Sequence, residues 1–225
     1  MADTKDQLIQ EMYDAGAHLG YSKTKRHPSV KPFIVKTIHG RDIINLEKTV
    51  EQLEKAISFL KEVKDRGHQI LFVGTKPEAR GVVRRYAELI DMPFVTERWI
   101  GGTLTNFPEI RKRIQQLITL SEQQERDELV AATKKEKLMI EREIERLEKK
   151  FGGLRNLKGI PGALFVIDPK KEEIAVTEAR KMKVPVVALA NTNANLEEIT
   201  YPIVANNTNL ASIEFFVKKI SEALR

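Results

Sequence analysis

The residues that could do chemistry in this chain are mostly cations. Lys23, Lys25, Arg26, His27 and Lys31 fall between Ser22 and Lys31, with no Asp or Glu among them and no apolar period. The segment reads as an irregular loop. Its charges suit a phosphate backbone, where each contact releases a condensed counterion. A solvated basic loop without a ligand is the plainer alternative. A second stretch, Glu97 to Asn106, holds the only tryptophan. Arg98 beside Trp99, then Gly101-Gly102, then Thr103, Thr105 and Asn106 would permit close backbone approach. RNA could stack a base on the ring and set a phosphate on the guanidinium. Trp99 is expected instead to fill a cleft between sheet and helices, which leaves Arg98 and Asn106 as contacts.

Other chemistries find less support. Gly74-Thr75-Lys76 could offer N–H groups to a phosphate at a helix start. It lacks the glycine spacing of a phosphate loop, and Pro77 removes one donor. His18, His27, His39 and His68 have no metalloenzyme spacing. No nucleophile elbow marks out a serine. There is no cysteine, which excludes disulfides, thiolate metal sites and thiol catalysis.

The elements that must position these residues alternate. A helix is expected over residues 4–17, then strands at Pro32–Ile38 and Asp42–Asn45 joined by His39-Gly40. Leu46–Arg66 is an amphipathic helix with Val50, Leu53, Ile57, Leu60 and Val63 on one face. Gln69–Gly74 is a strand apolar on both faces, as parallel sheets require. A helix follows Pro77, and Pro93–Val95 is a short strand. Later come strands at Ala163–Asp168, Val184–Ala190 and Tyr201–Ala205, with helices at Glu172–Met182 and Leu210–Leu224. This alternation predicts a doubly wound parallel sheet, with ligands beyond the carboxyl ends of its strands.

Phe107 to Phe151 interrupts the pattern with two long charged helices. Ile110, Ile114, Leu117 and Ile118 or Ser121 form a narrow seam on the first. Ile140, Ile144, Leu147 and Phe151 form one on the second, after a capping box at Thr133 to Glu136. A polar turn is expected from Gln123 to Ala132. Residues 107–151 are expected to project as a hairpin from an α/β domain of residues 1–106 and 152–225, adding little to its core. The arm either docks on a partner or is merely solvated.

Apolar residues make up 41% and charged residues 31% of 225 residues, with a net charge of +6. The balance favours a polyanionic partner. No apolar run approaches a membrane span. The polar N-terminus is no signal peptide, so a soluble cytoplasmic protein is expected.

The sequence resembles the bacterial small-subunit ribosomal protein two family. The matching pieces run in order along nearly the whole chain: Ala15 to Gly20, Pro32 to Ile34 with Ile43 to Thr49, Ile70 to Lys76, Arg98 to Asn106, Lys134 to Glu136, and Pro161 to Asp168. The resemblance implies a flavodoxin-like α/β fold, doubly wound and mainly parallel, with an inserted antiparallel α-helical coiled-coil hairpin. It implies a non-catalytic component of the small ribosomal subunit. Its partners would be small-subunit ribosomal RNA and neighbouring proteins, including ribosomal protein one, with no membrane, no small-molecule substrate and no cofactor. The expected RNA contacts are Lys23, Lys25, Arg26, His27, Lys31, Lys36, Lys76, Arg98, Thr105, Asn106 and Arg111. Some relatives carry acids, and a divalent metal, where this chain reads Ala190 to Asn193 and Asn206 to Asn209. Neutral amides hold a metal poorly, so none is expected. The chain also stops soon after its final helix, without the acidic tail of some relatives. The competing readings are a nucleotide- or metal-dependent enzyme using the sheet's carboxyl edge, and a coiled-coil scaffold that binds protein without RNA.

Overall fold

A computed structural model of the chain describes residues 2–126 and 134–225. Five strands form a parallel sheet: β4 (Ile70–Val73), β5 (Phe94–Val95), β6 (Ala163–Ile167), β7 (Val186–Ala190) and β8 (Tyr201–Val204). Their order is β5-β4-β6-β7-β8. Renumbered from β4, that is 2-1-3-4-5, the flavodoxin-like order, with its switch point between β4 and β6. Strand pleating sends alternate residues to opposite faces. Ile70, Phe72, Phe165, Ile167 and Leu189 pack with α1 (Ala2–Asp14), α2 (Leu46–Asp65), α3 (Pro77–Leu89) and α7 (Leu210–Ala223). Leu71, Val73, Leu164, Val166 and Ala188 face the other way, onto α6 (Glu173–Lys181) and the helices α4 (Phe107–Glu125) and α5 (Lys134–Phe151).

A second, antiparallel sheet has the order β1-β3-β2, from β1 (Leu19–Ser22), β2 (Ile34–Ile38) and β3 (Arg41–Ile44). His39 and Gly40 both take positive φ, 46° and 76°, the requirement of a two-residue hairpin turn. Strand β1 corrects the sequence reading, which has a helix over residues 4–17 and an irregular loop at Ser22 to Lys31 but no strand between them. Its pairing partner is β3, some twenty residues on, and four residues are too few to show alternation. Gly20 is needed here because a Cβ would lie 2.9 Å from the Asp42 carbonyl oxygen.

The expectation that the long helices add little to the core does not hold. Phe107, Ile110, Ile114 and Leu117 of α4 and Leu147 and Phe151 of α5 are buried in one cluster with Val73, Val95 and Val166. The reason is topological. Parallel strands β5 and β6 flank β4, and such a crossover must cover the sheet on its way. The lower halves of α4 and α5 are that cover. Burial fades along the helices: Ile118, Ile140 and Ile144 are half-buried, and Leu138 and Met139 are exposed. Thr133 of the expected capping box and residues 127–132 of the expected turn lie outside the described residues. Gln123 to Glu125 belong to α4.

Candidate nucleic-acid interface

The basic loop is built onto the carboxyl edge of the parallel sheet. Short 3-10 turns at Lys23–Lys25 and Pro28–Phe33 shape it. The His27 N–H donates to the Thr192 carbonyl at 2.8 Å, and the Tyr21 N–H donates to Thr192 Oγ1 at 3.0 Å. The Leu196 N–H donates to Ser29 Oγ at 3.0 Å. These bonds seat the loop on the segment that leaves β7.

The loop does have a carboxylate partner, contrary to the sequence reading. Asp42 on β3 is fully buried. Arg26 Nε donates to it at 2.7 Å, its Nη2 makes a second contact, and Thr37 Oγ1 donates at 2.9 Å. The Arg26 guanidinium, with help from Thr37, holds the Asp42 carboxyl below its usual value against the opposing effect of burial. Arg26 is thus a structural ion-pair partner. Lys23, Lys25 and Lys31 are exposed, and among the described residues none has a carboxylate in ion-pair contact. Lys25 sits 5.7 Å from the Tyr21 ring. Lys36 is exposed on edge strand β2.

At the switch point the chain supplies its own anions. The Thr75 N–H and hydroxyl donate to Glu172 Oε1 at 3.0 and 2.5 Å. Lys76 Nζ is 2.5 Å from Asp168 and donates to the Asn207 carbonyl at 3.1 Å. Burial pushes the Glu172 carboxyl up despite those bonds. A phosphate here would meet two carboxylates and find the Thr75 donor and the Lys76 ammonium engaged, so the nucleotide-enzyme reading gains nothing from this crevice. Lys76 also leaves the set of available contacts. Among the described residues no group of three or more acids or histidines is arranged to hold a metal, and no helix is long and apolar enough to cross a membrane.

The tryptophan segment closes on one acid the sequence did not flag. Glu178 of α6 accepts from Trp99 Nε1 at 3.2 Å and from the N–H groups of Gly102, Leu104 and Thr105 at 2.7, 3.0 and 3.2 Å. The Thr105 hydroxyl donates to it at 3.2 Å. Trp99 is buried, as expected. Thr105 is exposed, with both its N–H and its hydroxyl donating to Glu178. The legible signal was an acid on the inward stripe of α6, beside Ala175 and Ala179. Burial alone would raise the Glu178 carboxyl; its N–H donors outweigh that and hold it below the usual value. A depressed folded value means stability that is present above the unfolded pKa, near 4.3, and lost as pH falls through the folded one. Glu178→Gln, which swaps one acceptor oxygen for a donor, is expected to cost about 3 kcal/mol. Melts at neutral and acid pH check this: the wild type should lose stability below roughly pH 4.3 more steeply than the variant.

The remaining sites divide by edge. Arg98 is exposed at the carboxyl edge, in a cavity shared with Lys171. His27 shares another with Lys170. Lys170 and Lys171 are exposed and were not among the expected contacts, although the sequence placed their turn at this edge. Asn106 is exposed at the start of α4. Arg111 lies elsewhere, in a groove with Gln69 and Lys158 at the amino end of β4.

A family model described as Ribosomal protein S2 matches residues 12–225. With a basic loop seated on a flavodoxin-like sheet whose ligand crevice is filled by its own side chains, that match covers all but the first residues, and the chain belongs to the ribosomal protein S2 family, structural proteins of the small ribosomal subunit.

Proposed function

We propose that the chain binds small-subunit ribosomal RNA through the carboxyl edge of its parallel sheet. The observation that carries this reading is a band of exposed cations there: Lys23, Lys25 and Lys31 on the loop, Lys170 beside His27, and Lys171 beside Arg98. None of these lysines has an ion-pair partner among the described residues. Phosphate contacts of this kind position a protein on RNA without reading sequence. Lys36 and Asn106 extend the band, and Arg111 makes a separate contact from the opposite edge. The distal halves of α4 and α5 form an antiparallel coiled-coil arm. Leu138 and Met139, exposed on an otherwise charged helix, support a protein contact there, and docking of ribosomal protein one is the role we assign to it. The setting is the cytoplasmic ribosome.

The test is co-sedimentation with small subunits over a salt series. Changing Lys23, Lys25, Lys31, Lys170 and Lys171 together to Ala should lower the log–log salt slope by roughly 4 to 5 units, at about 0.9 per duplex phosphate contact. Arg26 is left in place so that the fold is not disturbed. An unchanged slope would refute the interface. Binding that survives ribonuclease treatment of the subunits would favour the protein scaffold instead.

A further inference from the structure

The end of α1 folds back on itself and presents an aromatic face. Gly16, at φ 72°, lets the chain reverse there. The Gly16 N–H donates to the Tyr13 carbonyl and the Ala17 N–H to the Met12 carbonyl, both at 2.9 Å. This is the paired bonding of a glycine-closed helix end. The reversal lays the His18 ring flat against the Tyr13 ring, with centroids 4.2 Å apart and planes 9° from parallel. His18 is fixed in turn, because the Ile44 N–H donates to its carbonyl at 2.9 Å. One face of the Tyr13 ring is thus taken. The residue is still 54% exposed, and it is the only exposed aromatic among the described residues.

The pair stands at the carboxyl edge of the parallel sheet. Asn206, just past β8, donates its N–H to the Ala17 carbonyl at 2.9 Å and its Nδ2 to the Gly16 carbonyl at 3.0 Å. Asn209 Nδ2 donates to the Ala15 carbonyl at 3.0 Å. Strand β1 starts directly after His18 and runs into Lys23 of the basic loop. It has four residues and is about 13 Å long. Exposed Asp14 beside Tyr13 repels phosphate, so the ring suits the uncharged part of a nucleotide.

We infer that Tyr13, backed by His18, is a stacking platform for one unpaired base of the bound RNA, whose phosphates continue onto Lys23 and Lys25. Base–aromatic stacking needs a flat ring face and no hydrogen-bond code. The His18 ring holds that face in place before binding, which lowers the ordering cost. The inference rests on the RNA-binding reading and adds a base contact to it.

Full-length protein would be titrated with oligoadenylate long enough to reach from Lys25 to Tyr13, and with an abasic ribose-phosphate oligomer of equal length, each over a salt series. Tyr13→Ala should weaken oligoadenylate binding about 5- to 150-fold, the range for one stacked base, and leave the salt slope and the abasic affinity unchanged. Tyr13→Phe keeps the ring and should bind as wild type does. Ring-proton resonances give the same answer on unaltered protein, should Tyr13→Ala fold poorly. Those of Tyr13, assigned with Tyr13→Phe, should move upfield with oligoadenylate and stay in place with the abasic oligomer. Equal oligoadenylate affinities of Tyr13→Ala and wild type, with a steep salt slope, would overturn the platform and leave phosphate binding standing. Lost subunit association with unchanged oligoadenylate affinity would make Tyr13 a protein contact and overturn it too. No salt-dependent binding of either oligomer would overturn both readings.

Discussion

Arg26→Ala should destabilise the fold by about 3 to 5 kcal/mol, the usual effect of stripping the partner from a buried ion pair. For a chain of this length that is a drop of roughly 6 to 20 °C in Tm. Asp42 is wholly inaccessible beside Arg26, so the variant strips its carboxylate of the partner that offsets its burial. Thr37 alone would remain as donor. Adding Asp42→Asn should recover much of the loss, because no charge is then buried unpaired. The pH profile gives an independent reading. The folded Asp42 value lies below the unfolded one, so the pair stabilises above about pH 4 and this stability is lost as pH falls through the folded value. Arg26→Ala should remove that acid-sensitive portion. Lys23→Ala, Lys25→Ala or Lys31→Ala should move the melt by no more than about 0.5 kcal/mol. An Arg26→Ala melt equal to wild type would mean that Asp42 is hydrated in solution. The four neighbouring cations therefore differ in kind, and a variant that neutralises all of them would confuse lost phosphate contacts with lost folding.

The second large effect separates the two halves of the helical arm. Replacing residues 106–151 with a short Gly/Ser loop should abolish the cooperative transition. It removes Phe107, Ile110, Ile114, Leu117, Leu147 and Phe151 from the core. At about 1.5 to 3 kcal/mol each, that is roughly 9 to 18 kcal/mol of burial, as much as the whole stability of a typical domain. Replacing only residues 122–139 keeps these side chains and takes the exposed Leu138 and Met139. Loop closure depends weakly on length, so this shorter variant should melt close to wild type while losing association with other subunit proteins. Circular dichroism melts beside a subunit-binding assay distinguish the outcomes. A cooperative melt after the full replacement would show that the sheet needs no cover from α4 and α5. Unchanged association after the short one would show a merely solvated arm.

Local pattern alone determined a good deal of this protein. The apolar runs of β4, β6 and β7, the 3.6-residue periods of α2, α3 and α7, and the glycine-assisted turn at His39-Gly40 are written in contiguous residues, because each is selected by nearest-neighbour geometry and burial. The seams of α4 and α5 were equally plain in their spacing. That those seams continue into the sheet core was not, because their spacing says that an apolar stripe is covered and not by what. Strand β1 was hidden for a related reason: its partner is distant in sequence and its four residues carry no period. The charges show the same division. Lys23, Lys25, Arg26 and Lys31 are alike as residues, and only Asp42, brought beneath the loop by the β1-β3-β2 sheet, makes Arg26 structural. Lys76 is withdrawn by Asp168, and the donors of exposed Thr105 are taken by Glu178, from 92 and 73 residues away along the chain. Residue type decides which charges exist. Long-range pairing in a low-dielectric interior decides which of them remain for a partner.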